Sequence, residues 1–317
     1  MKIIASTGRD DLATVYIAEM GDSRRVEFVE SVQPPLPREK KWVLIISTMF
    51  GCPAGCLMCD AGGDYHGTLS REEIISQIDF LVDRRWAGRK VPCEKFKIQF
   101  ARLGEPSLNP AVLDVLEELP DRYNAPGLMP SISTIAPAGG EAFFERLLSI
   151  KSRLYSEGRF QMQFSLHTTD ESLRGKLMPV KKWSFENIAE YGDRFYSEGD
   201  RKIALNFALA KDAPVEPCIL AEYFDPAKFL IKITPVNPTH TAAKNNISSL
   251  LDPQLPDADH PLARDLCAAG FEVIVSLGET EENLIGSNCG QYLRRHIESK
   301  DSIENGYTYG LRMLRAE

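Results

Sequence analysis

From residue 42 onward the chain repeats one unit: a short β-rich segment, a turn, and a stretch with helical spacing. The strand candidates are WVLIIS (42–47), KFKIQFA (95–101), PSISTI (130–135), QMQFSLH (161–167), KIALNFAL (202–209) and FLIKITPV (229–236). Between them lie helical patterns at 70–86, 109–119, 142–154 and 184–199. Ser70 followed three residues later by Glu73 has the form of a capping box at the start of the first. Strands spaced by helices imply parallel pairing through right-handed crossovers. Six such units are too few for the eightfold barrel. The pattern predicts an α/β fold built on a partial (β/α)6 barrel, with FEVIVSL (271–277) as a later strand. A doubly wound open sheet is the alternative.

The flanks read differently. TVYIAEM (14–20) and RRVEFVES (24–31), separated by GDS, form a hairpin pattern, and the turn-rich QPPLPREKK (33–41) follows. The expected division is a small β appendage and connector over 1–40, a barrel core over 41–240, and a C-terminal extension over 241–317 that completes the active site. A hydrophobic content of 43% is enough for a sizeable core. The net charge of −8 argues against a broad cationic surface for nucleic acid, though it leaves room for a local basic groove. No apolar run approaches membrane-spanning length, and the start MKIIASTGRDD lacks a signal-peptide pattern. A cytoplasmic protein without membrane association is the expectation. Oligomeric state leaves no mark in the sequence.

Seven cysteines lie at 52, 56, 59, 93, 218, 267 and 289. Three of them fall in Cys52-Pro-Ala-Gly-Cys56-Leu-Met-Cys59, directly after the first core strand. That spacing lets three thiolates converge on one inorganic centre, with Gly51 and Gly55 allowing the loop to fold tightly. A three-thiolate cubane keeps one iron open to an exogenous ligand, which suits a catalyst better than an electron carrier. A zinc site completed by His66 or Cys93 is the alternative. Placement at the carboxyl end of a barrel strand favours the cluster, because ligands bind at that face.

These features resemble the radical S-adenosylmethionine (SAM) superfamily. Further motifs narrow the resemblance to its RlmN/Cfr methyltransferase group: Gly104-Glu105-Pro106, Ser165-Leu166-His167 with Leu173-Arg174 and Leu177-Met178-Pro179, Pro235-Val236-Asn237-Pro238, and Asn288-Cys289-Gly290-Gln291. The resemblance implies a [4Fe–4S] cluster on Cys52, Cys56 and Cys59, with SAM chelated at the open iron. It implies that Gly104, Glu105 and Pro106 hold the SAM amino group, that Ser165 contacts its ribose or carboxylate, and that Asn237 lies near its ribose, a turn-forming role being the alternative for Asn237. His167 reads equally as a structural hydrogen-bonding residue, and Arg174 as a substrate contact or a solvated helix arginine. The family's methyl-carrying cysteine matches Cys289, and the implied chemistry is addition of its methyl to an electron-poor carbon by way of a 5′-deoxyadenosyl radical. A flavodoxin-like or ferredoxin-like protein is the implied electron donor.

Two departures shape the expected function. The family's resolving cysteine corresponds to Ile45, which has no thiol. The family's N-terminal RNA-binding region has no counterpart in the short stretch before the core, and an arginine-rich segment before Cys289 is replaced by Ser276-Leu277-Gly278-Glu279-Thr280-Glu281-Glu282. Acidic groups there repel phosphates, and RRWAGRK (84–90) reads as a solvated helix end. The expected function is therefore a radical SAM C-methyltransferase acting on a small heteroaromatic molecule, nucleotide or peptide. The alternatives are a rearranging or ring-forming radical enzyme, an RNA adenine methyltransferase, and a non-catalytic cluster-binding regulator.

Overall fold

The computed structural model describes residues 1–251 and 260–314. Eleven strands form one sheet. Three antiparallel strands open it: β1 (Lys2–Gly8), β2 (Ala13–Glu19) and β3 (Arg25–Val32). Then come β4 (Lys41–Ile46), β5 (Lys95–Phe100), β6 (Leu128–Thr134), β7 (Gln161–Ser165), β8 (Ile203–Leu209), β9 (Phe229–Pro235) and β10 (Glu272–Val275). From β5 onward each of these is parallel to its predecessor. A two-residue strand, β11 (Arg312–Met313), pairs with β1 at the edge. The parallel strands run in strict chain order. A doubly wound sheet would reverse that order part-way, so the singly wound arrangement of the partial-barrel expectation is the one observed.

The crossovers carry α1 (Arg71–Arg85), α2 (Ala111–Arg122), α3 (Glu141–Leu154), α4 (Glu171–Leu177), α5 (Phe185–Phe195), α6 (Pro217–Tyr223), α7 (His240–Lys244) and α8 (Pro261–Ala268). Beyond β10 lie α9 (Thr280–Ile285) and α10 (Leu293–Ser299). The capping box at Ser70 and Glu73 is present: the Glu73 N–H donates to the Ser70 hydroxyl, and the Ser70 N–H donates to the Glu73 carboxylate.

Two boundaries differ from the sequence reading. The hairpin is β2–β3, but β1 joins it to make a three-stranded meander, and β3 pairs directly with β4. The N-terminal strands therefore extend the barrel sheet. The strand expected to end at His167 stops at Ser165, because the Leu166 and His167 N–H groups donate to the Asn206 carbonyl and His167 takes a positive φ of 67°.

Strand periodicity separates two chemistries. One face carries Trp42, Leu44 and Ile46, then Phe96, Ile98 and Phe100, then Phe164, Leu205, Phe207, Ile231 and Ile233, all buried in the main core. The other face carries Lys97, Gln99, Ser133, Gln163, Ser165, Asn206, Lys232 and Thr234. Alternation at period two puts these sets on opposite sides of the sheet. The apolar side packs under the crossover helices and the polar side lines the concave interior. Phe96 lies at the centre of the apolar side, fully buried and stacked on Trp42 at 5.1 Å between ring centroids. Phe96→Ala is expected to destabilise the fold by about 3–5 kcal/mol, as read by chemical denaturation.

Candidate active site

The carboxyl ends of the parallel strands open into a cavity of about 360 Å³. Cys52, Cys56 and Cys59 line it, together with Gly104, Glu105, Ser165, Asn237 and Cys289. The sequence-selected site residues thus meet in one place, with one exception. Pro106 is buried behind the wall, opening the 3-10 turn Pro106–Leu108. It shapes the turn and does not face the cavity.

The cysteine loop is held from several sides. Thr48 and Met49 N–H groups donate to the Leu103 carbonyl, Leu57 N–H donates to Leu177, and Asp60 N–H donates to Gly290 at 2.7 Å. Gly51 has φ +73°, and a Cβ there would meet the Asp64 carbonyl oxygen at 2.3 Å, so the loop path excludes any side chain. Gly104 likewise has φ +101°, and a Cβ on it would meet the Met49 side chain at 2.5 Å. Burial, followed by the neighbouring Cys59 thiol, pushes Cys52 up to about 12. Burial also pushes Cys59 up to about 11 and raises Cys56. Three such thiols stay protonated unless a cationic centre compensates for their ionisation.

The residues fit the implied cofactors. Among the described residues, no three His, Cys, Asp or Glu side chains gather tightly enough for a single metal ion. Cys52, Cys56 and Cys59 all line the cavity, and a cubane presents separate iron corners to separate thiolates. The zinc alternative also lacks its fourth ligand: His66 is exposed and paired with Asp64 at 2.8 Å, and Cys93 is buried in the main core. Ser133 Oγ and Asn206 Oδ1 are buried on the cavity wall without a hydrogen-bond partner. Orphaned polar atoms of this kind fit a polar ligand such as SAM.

Glu105 is 5% exposed. Its Oε1 accepts from the Ser107 N–H and hydroxyl and from Thr134, and its Oε2 accepts from the Ile135 N–H at 3.0 Å. Burial raises its pKa and these donors oppose the rise. With a single protein donor, Oε2 keeps capacity for an ammonium group. The Ser165 hydroxyl faces the cavity at the end of β7. Asn237 donates through Nδ2 to the Cys289 carbonyl, a contact that sequence reasoning did not anticipate. His167 accepts the Ala208 N–H at Nδ1, 3.1 Å away, and burial pushes it down to about 4. It is a neutral structural acceptor on the cavity wall. Arg174 matches neither sequence reading: it is 3% exposed, donates to the Trp183 carbonyl, and lies over the Phe185 ring.

Cys289 is open to the cavity, with Gln99 Nε2 3.7 Å from its sulfur. Burial raises its pKa, while Lys232, Arg102 and Lys97 pull the other way. Ile45 is paired in register with Gln99 and packs in an apolar cluster with Val29, Ile285 and Leu293. Cys93, Cys218 and Cys267 do not line the cavity, so among the described residues Cys289 shares it only with the three loop thiols.

Sequence reasoning missed what holds Cys289 in place. Arg102, fully buried, donates to the carbonyls of Gly286 and Asn288 at 2.8 Å and to Glu27 at 3.0 Å. Glu27 also accepts the N–H groups of Leu293 and Arg294. The available signal was a glutamate between Val26 and Phe28 inside a β-rich run. Glu27→Gln leaves Arg102 buried without its counter-charge and is expected to cost about 3–5 kcal/mol, with much of the loss recovered in Glu27→Gln/Arg102→Met. Denaturation midpoints of the single and double variants check this.

No family model matches the chain. It is 25% identical over 270 residues to a probable dual-specificity RNA methyltransferase RlmN of Acidothermus cellulolyticus, covering 80% of this chain and 58% of that one. A probable RlmN of Parasynechococcus marenigrum is 25% identical over 221 residues, 67% of this chain and 59% of its own. The chain thus spans less than two thirds of these curated relatives. The RlmN of Syntrophobacter fumaroxidans is 26% identical over 309 residues, covering 93% and 81%. Among solved structures, a radical SAM methyltransferase from Sphaerobacter thermophilus superposes with a TM-score of 0.68 at 20% identity, over 92% of this chain and 80% of that one. That likeness supports the fold.

Proposed function

We propose that this chain, a relative of the RlmN-type radical SAM methyltransferases, is a radical SAM enzyme that methylates carbon through Cys289. The observation that carries this reading is the exposure of Cys289 to the cavity of the three-cysteine loop, with Asp60 and Gly290 tying the two loops together. Cys52, Cys56 and Cys59 would hold a [4Fe–4S] cluster, and with SAM bound beside it the cluster would supply radical chemistry on one-electron reduction. A flavodoxin-like or ferredoxin-like protein is the proposed donor.

The chain's own residues then have separable tasks. Glu105 Oε2 accepts from the SAM amino group, while Gly104 lets the backbone approach. Ser165, Ser133 and Asn206 offer hydrogen bonds to the polar part of the ligand. Met58, Ile135, Val236 and Leu277 on the cavity wall exclude water, which would otherwise quench reactive intermediates. Cys289 carries the methyl group, its orientation fixed by Asn237 and by Arg102. Ile45 stands at the position where the resemblance implies a resolving thiol, so the proposed route does not pass through a disulfide between positions 45 and 289.

The proposed acceptor is an electron-poor heteroaromatic carbon in a small molecule, nucleotide or peptide. An RNA adenine is the second reading, favoured by the names of the relatives. Transfer of labelled methyl from SAM to small-molecule mixtures or to an RNA fragment separates the two. Formation of 5′-deoxyadenosine with a product lacking the label would replace methyl transfer by rearrangement, and the absence of 5′-deoxyadenosine would point to a regulator.

Anaerobic reconstitution should give about one cubane per chain by iron and sulfide analysis, and none once Cys52, Cys56 and Cys59 are all replaced by alanine. Glu105→Ala and Ser165→Ala should each weaken SAM binding by about tenfold with iron content retained, the loss expected for one hydrogen bond to a charged ligand. Cys289→Ala should abolish the methylated product while sparing SAM binding. Mass spectrometry of the wild-type chain should find a methyl group on Cys289.

A further inference from the structure

The cysteine loop has two sides. Ala54, Cys56 and Met58 line the cavity, whereas Pro53, Gly55 and Leu57, which alternate with them, do not. Pro53 is exposed and Leu57 partly so. Two segments grip this outer side. The Leu57 N–H donates to the Leu177 carbonyl at 2.9 Å, and the Leu57 carbonyl accepts from Asn245 Nδ2 at 3.1 Å. A Cβ on Gly55 would lie 3.8 Å from the Pro179 ring, so the turn after α4 packs against the loop as well.

Both gripping segments are basic. Lys176 immediately precedes Leu177 and Lys244 immediately precedes Asn245, while Lys181 and Lys182 follow Pro179 and Val180. Lys176, Lys181 and Lys244 are exposed and make no ion pair among the described residues. Lys182 is part-buried and folds back on the carbonyls of Met178 and Val180. In a chain with 45 Asp and Glu against 37 Lys and Arg, no acid occurs in 49–59, in 172–185 or in 239–251. Asp60, just after the loop, is buried and accepts from Thr241 and Tyr307, so it adds no acid to this face. Elsewhere on the surface, exposed Arg9, Arg71 and Arg194 are each answered by a carboxylate.

The place of these charges decides what they can receive. None of the four lysines lines the cavity, so they are not set to hold a molecule that reacts at Cys289. They flank the side from which the loop thiols can be approached without entering the cavity, and Cys56 and Cys59 are themselves only part-buried. A centre held by these thiols has to take up an electron while the cavity is filled by its ligands. We propose that Lys176, Lys181 and Lys244 form the docking face for an acidic electron-transfer protein, which brings its redox group against the outer side of the Cys52–Cys59 loop. The inference rests on the radical SAM reading given above. One electron crosses: the donor is oxidised by one electron and the thiolate-bound centre is reduced by one. Complementary charges of this kind act on the rate and orientation of encounter. The net charge of −8 does not oppose such a contact, because salt screens charges lying more than about 8–10 Å from it.

The test uses the cluster-reconstituted chain, with reduced flavodoxin as the acidic probe and dithionite as a small reductant that needs no docking face. Bleaching of the cluster absorbance is followed anaerobically by stopped flow. The wild-type rate with flavodoxin should fall as salt is raised. The triple variant Lys176→Glu/Lys181→Glu/Lys244→Glu should slow reduction by flavodoxin about tenfold at low salt and leave reduction by dithionite unchanged. The neutral triple variant, with Gln at the same positions, should fall between and serves alone if charge reversal disturbs folding. Equal flavodoxin rates in the wild type and the folded variants overturn the docking face. So does an unchanged flavodoxin rate accompanied by lost binding of an RNA fragment, which assigns the lysines to nucleic acid. Flavodoxin binding, titrated by calorimetry at low salt, decides the face independently of the cluster: the charge-reversed variant should bind about tenfold more weakly, and equal binding overturns the inference. A chain that holds no cluster reducible by dithionite removes the radical reading, whereas a cluster reduced by dithionite but not by flavodoxin removes only the docking face.

Discussion

The buried Glu27–Arg102 pair is the contact on which the geometry of the cavity depends. Arg102 leaves β5 just before Gly104 and Glu105, and Glu27 comes from the N-terminal meander. Between them they satisfy two carbonyls before Cys289 and two N–H groups at the start of α10. One ion pair thereby fixes the mutual position of the first strands, the second barrel strand and the C-terminal loop. A buried pair of this kind adds little net stability over an apolar substitute. Its value is positional, since every hydrogen bond it makes specifies where the Cys289 loop must lie. Asp60 does the same from the cysteine loop, accepting from Thr241 and from the Tyr307 hydroxyl.

Most of the fold was legible because each barrel strand obeys one rule. Alternation in KFKIQF puts Phe96, Ile98 and Phe100 under helices, and the capped helix at Ser70 begins where its box predicts. The cysteine loop and the Gly104-Glu105 turn were legible for a different reason. Their spacing is local, so a short segment carries all the information about which side chains can converge. β1 was missed because its pairing depends on β2 and on β11 near the far end of the chain, and no local pattern encodes that.

The parts that stayed hidden are non-local. Arg102, Glu27 and Asn237 bond to groups that lie between 52 and 267 residues away in sequence from them. The lysines were visible but entered only through composition. In KFKIQFA the lysines share a face with Gln99, opposite the aromatic residues, and in FLIKITP Lys232 falls on the same parity as Thr234. A polar face on a parallel strand that packs under helices on its other side must point into the barrel. A lysine at such a position belongs to the interior, and strand parity alone distinguishes it from a solvated edge.

The contrast between whole and part bears on what a charge sum can mean. A net charge of −8 sums over the whole chain, and few of the charged residues line the cavity. Much of that acidity sits on exposed helix faces, where Asp114 and Glu117 face Arg146, and Glu145 faces Arg194. Salt screens those exposed charges within about 8–10 Å. Inside the sheet the screening is weaker, and the few charges that line the cavity count for more than a surplus of distant carboxylates does. The sign of a protein's total charge therefore constrains its large flat partners. It says little about the small molecule admitted to its interior.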